Sequence, residues 1–495
     1  MLEEGRNVWR IERATKLSVI VDGEDYFRYA NEAMTSAEDV LLLIGWDFDP
    51  RIALLPRPDP DNDRYRLSHF IRRLADKRGL LGIYILSWQG RAIQSMARGF
   101  SIVPITRWWL HPRIHMRLDS AHPFGATHHQ KIIVVDDCFA FCGCIDMTSG
   151  RWDTRDHLDN DERRHLPHAG PYMPWHDAAT AIAGPAASAL GAVARERWNR
   201  SGGEEIHDGC GGDHGWPRDL ALQFEDIEIG IARTYPKFSS YDGTFEIEQL
   251  YLDMIASAER YIYAESQYFA SRRVAEAIAK RLEEPDGPEI VVINPLTAQG
   301  WLEPIVMDSA RKRLVEALRN SDPDGRFRIY HPYTAGGEAI YVHAKILVVD
   351  DRILRVGSSN LNNRSMRLDS ECDVVIDANR PANEGARPAI RDLTLSLLAE
   401  HLGVEQSVVV AEWDERGSLI GMIEALRGEG KTLRPYELPE INGLEEVIAD
   451  NELLDPEGVE EFFEPFSKRG LFRDRLNPKR PWRRLRERRA RKRAR

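Results

Sequence analysis

The stretch HHQKIIVVDD at 128–137 returns as YVHAKILVVDD at 341–351, and this repetition constrains the fold more than any other feature of the chain. In each copy a histidine and a lysine two residues apart lead into four apolar residues that end on a pair of aspartates. An apolar run of that length without polar alternation predicts a strand buried on both faces. Positions two apart on a strand share a face, so His129 with Lys131, and His343 with Lys345, are expected to converge on one ligand. The spacing persists beyond the strand, because Gly143 and Gly357 stand at the same interval after their histidines.

The surroundings repeat as well. AEDVLLLIGWDF at 37–48 parallels AERYIYAESQYF at 258–269, and GIYILSW at 82–88 parallels EIVVINP at 289–295. Helical patterns such as RLSHFIRRLADKRG and DSARKRLVEALRNS lie among these strands, which predicts an α/β class in both halves. At 495 residues the chain also exceeds what one hydrophobic core serves. The reading is an internal duplication, with halves at 1–215 and 216–403, and with SGGEEIHDGCGGDHGWP at 201–217 as the loop between them. An acidic segment, 404–472, is expected to pack helices on the second half, and a basic tail occupies 473–495.

Charge and composition narrow the partners. The tail holds 13 Lys/Arg against Asp474 and Glu487, a surplus of 11, which leaves minus 23 on the rest of a chain whose total is minus 12. Such a body disfavours nucleic acid, whereas the tail suits phosphate groups, either of an anionic membrane or of a nucleic acid. No run of about 18 apolar residues is present, and the first residues lack a secretory core, so a cytoplasmic or peripheral membrane location is expected, with export by a non-classical route left open. Cys138, Cys142, Cys144, Cys210 and Cys372 show no paired CxxC spacing, so neither a disulfide framework nor a zinc finger is expected. DPDND at 59–63 lacks the glycine and terminal glutamate of a calcium loop and reads as a turn.

The paired motifs resemble those of the phospholipase D superfamily, whose signature is HxKxxxxD followed by a GSxN-like turn, present twice per active site. The resemblance extends to WDFDP at 46–50, HPFGATHHQK at 122–131, GRWDTRDH at 150–157, PWHD at 174–177, IYAESQYF at 262–269 and NNRSMRLDSECD at 362–373. These flanks are most similar to the branch that cleaves phosphatidylcholine. The resemblance implies two α/β halves, each a mixed sheet flanked by helices, meeting about a pseudo-twofold axis with one active site on the seam. A monomer then suffices.

Chemistry explains the need for two copies. Hydrolysis of a phosphodiester through a covalent intermediate needs a nucleophile on one side of phosphorus and an acid on the other, and two histidines of different protonation supply both. A bell-shaped dependence of activity on pH is expected. By resemblance His129 attacks phosphorus and His343 protonates the leaving alcohol and then activates water, although the sequence alone does not break the symmetry. Lys131 and Lys345 are expected to hold the non-bridging oxygens. Asn360, Ser358, Gly357, Gly143 and Asp146 are expected at the phosphate, with Asp146 a poor donor compared with Asn360. Asp177 and Glu371 are the family positions expected to orient the histidines. Asp136 and Asp350 are expected to serve structural ion pairs. No metal or cofactor is expected, because lysines and a histidinium supply the positive charge.

For substrate, the residues around Trp108 and Trp109 in ITRWWLHPRIH suit either a bilayer interface or core packing. The expected function is hydrolysis of the distal phosphodiester of phosphatidylcholine or phosphatidylethanolamine, with possible transfer to other alcohols. A phosphatidyltransferase of the cardiolipin synthase kind, a nucleic-acid phosphodiesterase and a silent membrane adaptor are the alternatives.

Overall fold

The computed structural model describes residues 1–55, 66–90, 102–167, 169–298 and 307–438. The DPDND turn, residues 439–472 of the acidic segment and the basic tail lie outside the described residues.

The first half contributes β1 (Arg10–Val21), β2 (Val40–Gly45), β3 (Gly82–Trp88), β4 (Ile114–Asp119), β5 (Lys131–Val135), β6 (Phe139–Gly143), β7 (Trp175–His176) and β8 (Ala178–Ala183). The second contributes β9 (Phe224–Tyr235), β10 (Thr244–Phe245), β11 (Tyr261–Glu265), β12 (Glu289–Ile293), β13 (Phe327–Tyr333), β14 (Tyr341–Val342), β15 (Ile346–Val349), β16 (Ile353–Gly357) and β17 (Glu371–Asp377). A last strand, β18 (Thr432–Pro435), adds to the edge at β13.

Hydrogen bonding orders the main strands β13, β12, β11, β15, β16, β17, β9, β1, β8, β6, β5, β2, β3, β4. Read from either end, the order and the pairing senses are the same: two parallel pairs, then antiparallel pairs to the centre. The duplication is thus visible in topology, with the pseudo-twofold between β1 and β9. Where two sheets were expected, the antiparallel pairing of β1 with β9 joins them into one hydrogen-bonded sheet. That pairing leaves neither half with an open edge at the seam.

The doubly buried strands explain the apolar runs. Ile132 and Val134 of β5 join Ile346 and Val348 of β15 in one shared core. Their neighbours face the other way, Ile133 and Val135 into the core of the first half, and Leu347 and Val349 into that of the second. Each such side chain contributes roughly 1.5–3 kcal/mol by leaving water, so a polar residue is tolerated on neither face.

At the strand ends Asp136, Asp137, Asp350 and Asp351 all have φ between 48° and 58°, so each Asp-Asp pair forms a two-residue hairpin turn with left-handed backbone. Asp136 accepts N–H bonds from Glu38, Asp39 and Val40 at 2.7, 2.8 and 2.7 Å, and Asp350 does the same for Glu259, Arg260 and Tyr261 at 2.7, 2.8 and 2.8 Å. These carboxylates chiefly clamp the backbone entering the next strand, each through three converging N–H groups, and the expected ion pairs add to the clamp, with Arg352 3.8 Å from Asp350. The 201–217 loop docks on the same turn, with Gly209 N–H on Asp137 at 2.6 Å and His214 Nε2 2.7 Å from Asp136.

Helices cover the sheet, among them Leu67–Lys77, Pro185–Arg200, Arg272–Leu282 and Ser309–Asn320. Ala386–Leu402 packs on the shared core and is followed by Gln406–Arg416 and Leu419–Leu426, which bury Val409, Trp413, Leu419 and Met422. Within the part of 404–472 that is described, the expected helices number two and are accompanied by a strand.

Candidate active site

Two short pairings across the seam build the site. Trp175-His176 of β7 pairs with Tyr341-Val342 of β14, and His343 N–H donates to His176 O at 2.8 Å. Symmetrically, His128 bridges Ser370, and His129 N–H donates to Ser370 O at 2.9 Å. Each catalytic candidate is thereby set beside the residue that precedes a carboxylate in the opposite half.

The carboxylates are exchanged between the halves. Asp177 Oδ2 lies 2.8 Å from His343 Nδ1, and Glu371 Oε2 lies 3.0 Å from His129 Nδ1. Both acids are buried. A carboxylate on Nδ1 fixes the ring and leaves Nε2 for chemistry.

The two pairs differ electrostatically. Burial pushes Asp177 up, but His343, Lys345 and the Cys144 thiol outweigh it and hold the carboxyl well below the usual carboxylate range. Trp175 Nε1 and Ala178 N also donate to Asp177, at 3.1 and 3.0 Å. Burial holds Glu371 well above that range, against the pull of Lys131 and the Ser358 and Ser365 hydroxyls. His129 is kept well below an ordinary imidazole by burial and then by Lys131 and Lys345. His343 is lowered by burial and Lys345, while Asp177 opposes the shift. An ionised carboxylate thus backs His343 and a neutral-leaning one backs His129, an asymmetry that the sequence does not reveal.

Both lysines act electrostatically on His129, and Lys131 also on Lys345. Lys131 Nζ donates to His129 O at 2.7 Å and lies 3.3 Å from Asp146 Oδ2. Lys345 donates to His343 O, lies 3.4 Å from Gln267 Oε1, and is lowered to about 8 by burial.

Several residues expected at the phosphate are placed behind the site. A Cβ on Gly143 would lie 2.5 Å from Ala179 Cα, and one on Gly357 2.6 Å from Asp373 Cα, so these glycines permit close strand approach. Ser358 is fully buried; its hydroxyl donates to Glu371 and accepts from Cys372 N at 3.0 Å, which makes it part of the support of His129. Asp146 accepts from Trp46 N at 2.9 Å while pairing with Lys131. Asn360 holds Ser365 Oγ through its N–H at 3.0 Å, and its buried Oδ1 makes no hydrogen bond among the described residues. The Cys144 thiol donates to Ala178 O at 3.1 Å beside Asp177.

Other contributors escape a sequence reading. Trp175 stacks on Tyr341 and tilts over His343 at 5.1 Å between ring centroids. Trp46 meets His129 edge-on and stacks on Trp88 at 6.0 Å. His128, held at about 4 by burial and Arg197, bonds Ser370 at 2.8 Å. The WHD and WDF flanks are the sequence signal for Trp175 and Trp46.

Comparison with known proteins agrees with this geometry. A family model described as "Phospholipase D" matches residues 114–227, and one described as "Cardiolipin synthase, PLD-like domain" matches residues 251–388, one model on each half. The chain belongs to the phospholipase D superfamily. Phospholipase D A of Dictyostelium discoideum is 25% identical over 483 residues, covering 80% of this chain and 36% of that protein. Phospholipase D1 of Saccharomyces cerevisiae is 25% identical over 492 residues, with 79% and 29% covered. Phospholipase D alpha 1 of Carica papaya is 23% identical over 523 residues, with 77% and 64% covered. The chain thus spans about a third of the first two superfamily relatives and under two thirds of the third. Phosphatidylserine synthase of Haemophilus influenzae shares the fold, with a TM-score of 0.54 at 13% identity over 78% of this chain and 86% of that one. Among the described residues no helix is long and apolar enough to cross a membrane.

Proposed function

We infer that this protein is a phospholipase D that hydrolyses the distal phosphodiester of a glycerophospholipid through a phosphohistidine. The observation that carries the reading is the crossed pairing of His129 with Glu371 and of His343 with Asp177 around two lysines. His129, uncharged, attacks phosphorus through Nε2 as the bond to the head-group oxygen breaks. His343, backed by ionised Asp177, gives that oxygen its proton. His343 then takes a proton from water, whose oxygen bonds to phosphorus as the phosphorus–nitrogen bond breaks, and phosphatidic acid leaves. An arriving phosphodiester anion favours the proton on His343 because the carboxylate behind it is ionised. Lys131 and Lys345 stabilise the charge on the non-bridging oxygens.

Substrate class rests on the surroundings and on the relatives, which are named phospholipases D. The stacked Trp46 and Trp88 offer an aromatic face beside His129 that suits a quaternary ammonium head group. Of the two tryptophans in the ITRWWLHPRIH stretch, Trp108 is buried, whereas Trp109 and Leu110 are 51% and 80% exposed and suit a lipid interface. One chain holds both histidines, so a monomer is a complete catalyst. The basic tail serves as an additional lipid contact in this reading.

Purified protein and a His129→Ala control, on phosphatidylcholine vesicles in ethanol-containing buffer, test the reading by free choline, phosphatidic acid and phosphatidylethanol. All three products from wild type alone are expected. Inactivity of wild type on choline, ethanolamine and glycerol lipids would overturn the lipid assignment. The match of 251–388 to a cardiolipin synthase model favours a second reading, transfer to a lipid alcohol, which predicts cardiolipin from phosphatidylglycerol in preference to hydrolysis.

A further inference from the structure

Behind Asp177 lies a second cluster that the hydrolysis does not use. Asp22 follows β1, His157 closes the RWDTRDH stretch, His176 lies on β7 and Glu400 on the helix Ala386–Leu402, and each is less than a tenth exposed. One donor atom from each lies within 4.8 Å of all the others. The imidazoles meet the carboxylates closely: His176 Nδ1 is 3.2 Å from Asp22 Oδ1 and 2.8 Å from Glu400 Oε1, while His157 Nε2 is 3.1 Å from Glu400 Oε1 and 3.5 Å from the other Asp22 oxygen, Oδ2. Four ligands about 2.0–2.1 Å from a tetrahedral ion stand about 3.3 Å apart. With one oxygen taken from Asp22, three separations of the cluster, two to Glu400 Oε1 and one to Asp22, fall near that edge length.

The hydrogen-bond pattern independently points to a ligand. Asp22 Oδ2 is buried and makes no hydrogen bond among the described residues, and the buried His176 Nδ1 faces only the carboxylate oxygens of Asp22 and Glu400, off the line of a hydrogen bond. The outer nitrogens of both rings are occupied, His157 Nδ1 by Asp153 Oδ2 at 3.0 Å and His176 Nε2 by Glu265 Oε2 at 2.8 Å. Those carboxylates are held in turn, Asp153 by Arg164 at 3.2 Å and Glu265 by His401 Nε2 at 3.0 Å. A carboxylate behind each imidazole, with the other nitrogen turned inward, is how metal-binding histidines are oriented.

We propose that Asp22, His157, His176 and Glu400 form a tetrahedral site for a divalent transition-metal ion, zinc by its donor set, with a structural role. Two imidazoles and two carboxylates suit zinc, whereas calcium and magnesium take six or more oxygens. Four protein ligands leave no open position for substrate or water, as in structural sites. The ion ties β7 and the RWDTRDH stretch of the first half to a helix of the second. It also sits directly behind the proton donor, because Asp177 N–H donates to Asp22 Oδ1 at 2.9 Å. The alternative occupant is a pair of protons on the two histidines, which carries the same two charges.

The test uses the full chain, made without a polyhistidine tag and desalted. Elemental analysis is expected to find about one zinc per chain, removable by chelator with a fall in Tm that zinc reverses. Cobalt substitution is expected to give the visible spectrum of a four-coordinate ion without a thiolate charge-transfer band. His157→Ala and Glu400→Gln lose the ion, and His214→Ala, from another His-containing cluster, keeps it. Should the first two variants fail to fold, the wild-type chelation and cobalt spectra decide alone. Folded wild type holding under about a tenth of an equivalent, and taking up none from added zinc, would overturn the proposal. So would zinc that leaves without any change in Tm, a thiolate band, or a full equivalent retained in folded His157→Ala.

Discussion

Replacing His343 by asparagine separates the roles of the two histidines. The ring is only 5% exposed and is covered by Trp175, so water has poor access to take over proton donation. General acid catalysis contributes about 10²–10⁴, and this enclosure places the loss near the top, about 10³–10⁴ or about 4–5.5 kcal/mol. The full loss applies to choline, whose alkoxide needs a proton. A phosphatidyl ester of p-nitrophenol needs none, because the phenolate leaves unaided. Stopped-flow release of p-nitrophenol from His343→Asn is therefore expected as a burst near one equivalent, followed by slow turnover, because His129 is phosphorylated but water is no longer activated. His129→Asn shows no burst with either substrate. Equal losses in the first-turnover rate on both substrates, or a burst in His129→Asn with none in His343→Asn, would refute the assignment drawn from the unequal carboxylates.

Further outcomes follow from single contacts. Lys345, held near 8 by burial, is cationic below that pH and neutral above it, so kcat/KM is expected to fall about tenfold per pH unit above about 8; Lys345→Arg, which keeps its charge, lacks this limb in a pH profile of whatever activity it retains. Asp350→Ala strips the acceptor from three N–H groups, of which only that of Tyr261 belongs to a buried residue, and urea unfolding is expected to show a loss of about 3–5 kcal/mol. A loss under about 1 kcal/mol would contradict the clamp. Replacing exposed Trp109 and Leu110 by serine is expected to weaken binding to vesicles severalfold in a sedimentation assay while sparing turnover of short-chain lipid.

What the sequence disclosed depended on distance along the chain. His129, Lys131 and the IIVV run are contiguous, so strand and motif are legible together. Asp177 stands 166 residues from His343, and Glu371 242 residues from His129, so their service to the histidines rested on family resemblance and not on pattern. The joining of the sheets through β1 and β9 was hidden because pairing between distant strands leaves no local period. Gly143, Gly357 and Ser358 follow the motif and so point to phosphate in the sequence, yet a strand buried on both faces does not reveal which side looks on the site. The cysteine spacing likewise excluded one kind of zinc site and was silent on histidines and acids brought together from positions 22 to 400.

The exchange of carboxylates makes the two halves mutually dependent for chemistry. Neither half owns a finished histidine pair, so a half that unfolds or undocks switches off both steps at once and leaves no misoriented nucleophile to react with water or with a wrong alcohol. Activity is in that sense a readout of docking. A chain cut in the 201–217 loop would recover turnover as its fragments reassociate, and the rate of recovery would measure the strength of the seam.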